Sequence, residues 1–216
     1  MIGWLVLLIL AGVGAWPFVA ESRRPRPDPD DAPGTFADLP TGRTHYRWLG
    51  PARGPVVVAV HGLRTASDVW EEIAAGLGAI GYRVLVYDLH GRGFSDPPDG
   101  PQDAAHFVAQ LEALLAQQGL TESVNLLGYS MGGGIAAAYA AKHPEQVDRL
   151  MLIAPSGIEM AVGGPDRFAR DTPWLGDWLA LGPGRLRTIR ELRAEGTRAA
   201  EIQLRDIQWR GFMPGV

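Results

Sequence analysis

Ser130 stands between Gly128 and Gly132 in Gly128-Tyr129-Ser130-Met131-Gly132, directly after the apolar run Val124 to Leu127 and before the Ala-rich run Ile135 to Ala141. That order reads as strand, sharp turn and helix. A serine hydroxyl is a weak nucleophile, so it must be exposed, oriented and close to a base. A strained turn at the end of a strand presents Ser130 in that way. Gly128 and Gly132 lack a Cβ, so strand and helix can approach closely around the turn. The start of the following helix offers backbone N–H groups and a dipole that favour a developing anion. The bare pattern is short and this chain holds 28 glycines. The strand before and the helix after favour catalysis over chance.

The elements that must position Ser130 are legible around it. Val56 to Val60 is continuously apolar and rich in β-branched residues, as in a parallel strand buried on both faces. Tyr46 to Leu49 reads as a strand joined to it by the turn-forming stretch Gly50 to Pro55. Val69 to Ile80 is an amphipathic helix with Gly81 placed to end it. Arg83 to Tyr87 is a further buried strand. Ala104 to Gln118 repeats the helical period, with Phe107, Leu111, Leu114 and Leu115 on one face. Pro144 ends the helix after Ser130, and Leu150 to Ala154 is the next strand. Alternating strands and helices predict an α/β fold, with a mostly parallel sheet covered on both sides. Sites in such sheets collect at the carboxyl ends of the strands. His61, Asp88, Ser130 and Pro155 fall at those ends.

Composition bounds the reading. A chain of 216 residues with 46% hydrophobic and 20% charged residues describes a globular protein with a sizeable core. A net charge of −4 without a long basic run argues against nucleic acid as a partner. No cysteine is present, which removes disulfides, thiol catalysis and cysteine-ligated metal. The five histidines are dispersed, and no phosphate-binding Gly-rich loop follows a first strand, so neither metal nor cofactor is implied.

The two ends of the chain differ from its middle. Ile2 to Ala20 carries no charge, and Trp4 and Trp16 lie near its ends, so residues 1–20 read as a membrane anchor or a signal segment. The membrane is then a partner through residues 2–20. Residues 21–35 read as a Pro-, Arg- and Asp-rich linker. Arg23, Arg24 and Arg26 favour the cytoplasmic side for the rest of the chain, with a secreted or periplasmic protein as the alternative. Residues 36–155 form the expected core. Residues 156–216 read as short helices broken at Gly163-Gly164-Pro165 and Gly182-Pro183-Gly184, an incomplete helical cap.

Four stretches together resemble the α/β-hydrolase superfamily: His61-Gly62, Asp88 to Asp96, Gly128 to Gly133, and Lys142 to Val147. The resemblance is close over residues 36–155 and looser beyond. It implies a serine hydrolase cleaving carboxylic esters, lipid-like esters among them. It implies Ser130 as nucleophile, the backbone N–H groups of Leu63 and Met131 as oxyanion hole, and His61 and Gly62 as support for the oxyanion loop. Asp88 to Asp96 would be a structural loop beside the site. Epoxide hydrolases and haloalkane dehalogenases carry Asp where this chain has Ser130. The family order places an acid and then a histidine after the nucleophile, and the only histidine after Ser130 is His143, at a helix end. Asp166, Asp171, Asp177 and Asp206 read as solvated helix residues. The triad acid, the triad histidine and the last two strands are therefore expected to be missing from this stretch. The alternatives are a non-catalytic relative that binds a ligand or partner, and a C–C bond hydrolase or perhydrolase.

Overall fold

The computed structural model describes residues 2–97, 102–157 and 172–213. The chain divides into two compact units, residues 27–160 and residues 1–26 with 161–216.

In residues 27–160 a six-stranded sheet forms from β1 Thr35–Leu39, β2 Gly42–Leu49, β3 Val56–Val60, β4 Arg83–Tyr87, β5 Val124–Tyr129 and β6 Val147–Ile153. The spatial order is β1-β2-β4-β3-β5-β6. β1 pairs antiparallel with β2, and β2 antiparallel with β4, whereas β3, β4, β5 and β6 pair in parallel. The sheet is thus mixed, with a parallel run of four strands where the apolar runs predicted it and antiparallel pairing through β2 at one side. Strand β1 is the element the sequence reading missed. Its burial alternates, with Ala37 and Leu39 inward and Asp38 outward, and Pro40-Thr41 turn it into β2. One half-buried strand of five residues gives a weak periodic signal.

Alternation along the strands sends residues to opposite faces. Val58, Val60, Leu85, Tyr87 and Leu126 pack with Phe107, Leu111 and Leu114 of α3 (Ala104–Gln117) and with Ile135 and Tyr139 of α4 (Met131–Lys142). Val57, Ala59, Val84, Val86 and Leu127 pack on the other face with Trp70 and with Ala74 of α2 (Glu71–Ala79). Both faces of β3 are therefore buried, as its uninterrupted apolar run requires. Truncating a fully buried residue such as Leu111 costs about 2–5 kcal/mol. β6 lies at the sheet edge with Met151 61% exposed and Leu150 and Ile153 more than a third exposed.

The other unit is helical among its described residues: α1 Ile2–Ser22, α5 Pro173–Leu179, α6 Arg185–Glu195 and α7 Arg198–Asp206. Gly182-Pro183-Gly184 does not break the chain as expected. It lies in a π-helical turn, Ala180–Gly184, that carries α5 into α6. Gly163-Gly164-Pro165 lies outside the described residues.

The expected transmembrane helix is corrected. Among the described residues no helix is long and apolar enough to cross a membrane. Helix α1 contains Pro17, and its second half is built into the helical unit by polar bonds. The Trp178 indole N–H donates to the Val13 carbonyl at 3.2 Å. The buried Glu21 carboxylate takes Arg185 at 2.5 Å and the Gly211 amide at 2.7 Å. A helix end holding a carboxylate among protein donors is organised by those donors, not by lipid. The membrane-anchored localisation and the membrane partner expected through residues 2–20 fall with the span.

Candidate functional site

Ser130 has φ 52° and ψ −120°, a left-handed conformation that residues with a Cβ rarely adopt. The surrounding backbone imposes it. The Ser130 N–H donates to the Ile153 carbonyl at 3.0 Å, and the Ser130 carbonyl accepts from Gly133 and Ser156, each at 2.9 Å. The turn is thereby fastened to β6 and to α4 at once. Strain held by such bonds is a mark of functional turns. A Cβ on Gly132 would stand 2.2 Å from the Val60 carbonyl oxygen, and one on Gly128 would stand 2.5 Å from the Gly132 carbonyl oxygen. Neither site accepts a side chain without moving backbone.

The loop after β3 abuts the turn. A Cβ on Gly62 would stand 3.2 Å from the Ser130 Cβ. Leu63 follows Gly62, and Met131 opens α4. Among the described residues, neither the Leu63 N–H nor the Met131 N–H has an acceptor. Two uncommitted donors on the segments flanking a strained serine are what a developing oxyanion requires.

His61 is fully buried and acts on the backbone. Its Nε2 accepts from the Leu89 N–H at 2.9 Å, which puts the ring proton on Nδ1, and Nδ1 donates to the Gly62 carbonyl at 2.8 Å. Burial, which outweighs the Asp88 charge, lowers its pKa and keeps the ring neutral. It is not a base for Ser130, because neither ring nitrogen is directed there.

The Asp88–Asp96 loop forms a second buried network. Asp88 accepts from the Ser67 N–H at 2.7 Å, the Phe94 N–H at 3.0 Å and His45 Nδ1 at 2.8 Å. Burial opposes its charge, but the His45 hydrogen bond and charge, with His61 and the Phe94 amide, hold the carboxyl down to about 2. Ser95 Oγ accepts from the His45 N–H and donates to the Asp88 carbonyl. Gln110 Nε2 donates to Thr44 Oγ1, the Thr44 hydroxyl meets His90 Nε2 at 3.1 Å, and His90 Nδ1 lies 2.9 Å from His106 Nε2. Burial first, and then the His106 charge, push the His90 pKa down to about 4.

All five histidines lie among the described residues, and each is engaged away from Ser130. His143, expected as a cap-like residue, ends α4 and places Nε2 2.7 Å from Glu112 Oε1 of α3. Asp177 is exposed, whereas Asp206 is buried against Arg205, where a solvated residue was expected. Asp166 and Asp171 lie outside the described residues. Among the described residues no cluster could hold a metal ion. The sequence reading missed Thr65 and Arg92, which hold the Leu63 loop. Their signal was position alone: Thr65 lies three residues after Gly62, and Arg92 lies inside the Asp88–Asp96 stretch.

Residues 55–210 match the family model of the alpha/beta hydrolase fold, and the chain belongs to that family. It is 34% identical over 151 residues to an uncharacterized protein of Mycobacterium tuberculosis, covering 69% of this chain and 43% of that one. It is 31% identical over 133 residues to the pimeloyl-[acyl-carrier protein] methyl ester esterase of Vibrio parahaemolyticus, covering 62% of this chain and 46% of that one. A hydrolase from Pseudomonas aeruginosa shares the fold, with a TM-score of 0.69 at 20% identity over 84% of this chain and 70% of that one. The chain spans less than half the length of these two curated relatives.

Proposed function

We propose that this chain carries the nucleophile and the oxyanion hole of a serine hydrolase acting on small-molecule carboxylic esters. The observation that carries the reading is the left-handed Ser130, fastened to β6 and α4 and abutting the Gly62–Leu63 loop. Ser130 Oγ attacks the ester carbonyl carbon. The carbonyl oxygen becomes an anion and receives the N–H groups of Leu63 and Met131. The alkoxide leaves, and water releases the acid from the acyl-serine. His61, through the Gly62 carbonyl, supports the oxyanion loop. The proton of Ser130 must pass to a base, and each of the five histidines of this stretch is engaged elsewhere. The methyl ester esterase among the relatives supports an ester substrate. The lipid element of the expectation loses the support of the N-terminal run and keeps only that of the family resemblance.

A second reading, a relative that binds without turnover, is favoured by the engagement of all five histidines. A panel of short-chain aryl esters, run beside Ser130→Ala in any longer version of the protein that supplies a base, separates the two. Ser130-dependent hydrolysis supports the enzyme. Equal rates in both proteins support the binder.

A further inference from the structure

The segment His61 to Thr65 leaves β3 and is held by side chains. Two consecutive peptide groups are pinned, one on each side of Leu63. The Gly62 carbonyl accepts from His61 Nδ1 at 2.8 Å and from the Thr65 hydroxyl at 3.2 Å, while Thr65 Oγ1 also lies 3.1 Å from the Gly62 N–H. In a trans peptide the C=O and the following N–H point in opposite directions. Pinning the Gly62 carbonyl on His61 and Thr65 therefore aims the Leu63 N–H the other way. The next peptide is pinned by Arg92, whose Nε donates to the Leu63 carbonyl at 2.6 Å.

Arg92 is suited to that task. It is 2% exposed, and its Nη1 donates to the Gly91 carbonyl at 3.2 Å and to Gln102 Oε1 at 3.3 Å. Its own N–H is tied to the Leu89 carbonyl at 2.9 Å, and the Leu89 N–H is the one bonded to His61. Burial lowers its pKa to about 10, which leaves it charged at neutral pH. A charged donor makes a stronger bond to a carbonyl than a neutral one. A planar guanidinium also fixes direction as well as distance.

We propose that Thr65 and Arg92 are positioning residues for the oxyanion hole, fixing the peptide planes on either side of Leu63 so that its N–H stays aimed beside Ser130. The inference rests on the proposed role of Ser130 as nucleophile and deepens it. Neither side chain touches the reacting atoms. Their effect is confined to how well the donor is aimed. A donor misplaced by about 1 Å costs on the order of a hundredfold in rate, and loss of one donor costs about 10² to 10³.

The test measures phosphonylation of Ser130 in the 216-residue chain by two probes, an aryl phosphonate and its phosphonothioate. Both lose the aryloxide as a new P–O bond forms to Ser130. They differ in the atom offered to the oxyanion donors, because sulfur is larger and a weaker acceptor than oxygen. The ratio of the two rates therefore reports on donor placement. In Thr65→Val and Arg92→Met that ratio is expected to fall by about tenfold or more, with Thr65→Ser close to the parent. If Arg92→Met does not fold, the Thr65 pair decides alone. Slowing of both probes by the same factor, or no slowing, overturns the inference and leaves Ser130 as nucleophile. No labelling of Ser130 in the parent by either probe overturns the nucleophile reading and the inference with it.

Discussion

His45 Nδ1 stands 2.8 Å from Asp88 Oδ2, and Nε2 of the same ring stands 2.8 Å from the Pro33 carbonyl oxygen. Both partners are acceptors, so the ring is held between two acceptor oxygens. The pair is 1% exposed on each side. It ties β2 to the end of β4, and the chain before β1 to both. Removing one member of a buried pair leaves the other without its partner, at a cost of about 3–5 kcal/mol. Asp88→Ala also strips the Ser67 and Phe94 amides of their acceptor. The expected result is a loss of at least that size in urea denaturation. A loss below about 1 kcal/mol would show that the pair does not hold this end of the sheet.

The neutral histidines set a pH dependence. His90 has its folded pKa at about 4, below the unfolded value of 6.5. Between those values the unfolded chain takes up a proton that the folded chain refuses, so His90 lowers stability as pH falls from about 6.5. From pH 6.5 to 5 this amounts to roughly 2 kcal/mol, at 1.36 kcal/mol per unit. The measurement is the denaturation midpoint of the parent and of His90→Asn at pH 7, 6 and 5. The parent's advantage over the variant should shrink with acidity. A constant or growing advantage would mean that His90 is protonated in the folded state.

Close approach at Gly132 makes a prediction about folding. A side chain there meets the Val60 and His61 carbonyl oxygens at 2.2 and 2.4 Å. Gly132→Val is expected to lose the cooperative unfolding transition, because β3, β5 and α4 cannot separate without opening the core. Ser130→Ala deletes one atom and should melt within a few degrees of the parent. A cooperative Gly132→Val protein would show that the turn has room the structure does not give it.

The commitment of the five histidines predicts slow chemistry. Serine without a base retains only what binding and the oxyanion donors supply, about 10³ to 10⁴ over water in triad-less protease mutants. Turnover of a short-chain aryl ester by these 216 residues should be nearly indistinguishable from that of Ser130→Ala. Any Ser130-dependent rate should rise with hydroxide from pH 6 to 9. A plateau with a midpoint near 7 would reveal a histidine acting on Ser130.

The turn and the core strands were legible in the sequence because two signals coincide in each. The β3 run is both apolar and bounded by turn residues, and Ser130 lies between a strand and a helix. The N-terminal run misled for the opposite reason. Hydropathy averages over side chains and does not register that Pro17 and Glu21 engage other helices. The roles of Thr65, Arg92 and His45 were hidden because each acts on backbone groups, or on a residue far along the chain. His45 and Asp88 are 43 positions apart. A polar residue that bonds a distant main chain leaves no periodic mark.

The central claim is that Ser130 is a nucleophile presented by a strained turn beside an oxyanion loop. Its most direct test is mass mapping of the native chain after long exposure to a fluorophosphonate at millimolar concentration. The account predicts one phosphonyl group per chain, on Ser130, absent in Ser130→Ala and absent when the chain is unfolded in urea before exposure. A native chain that stays unlabelled, or one labelled equally at other serines, would contradict it.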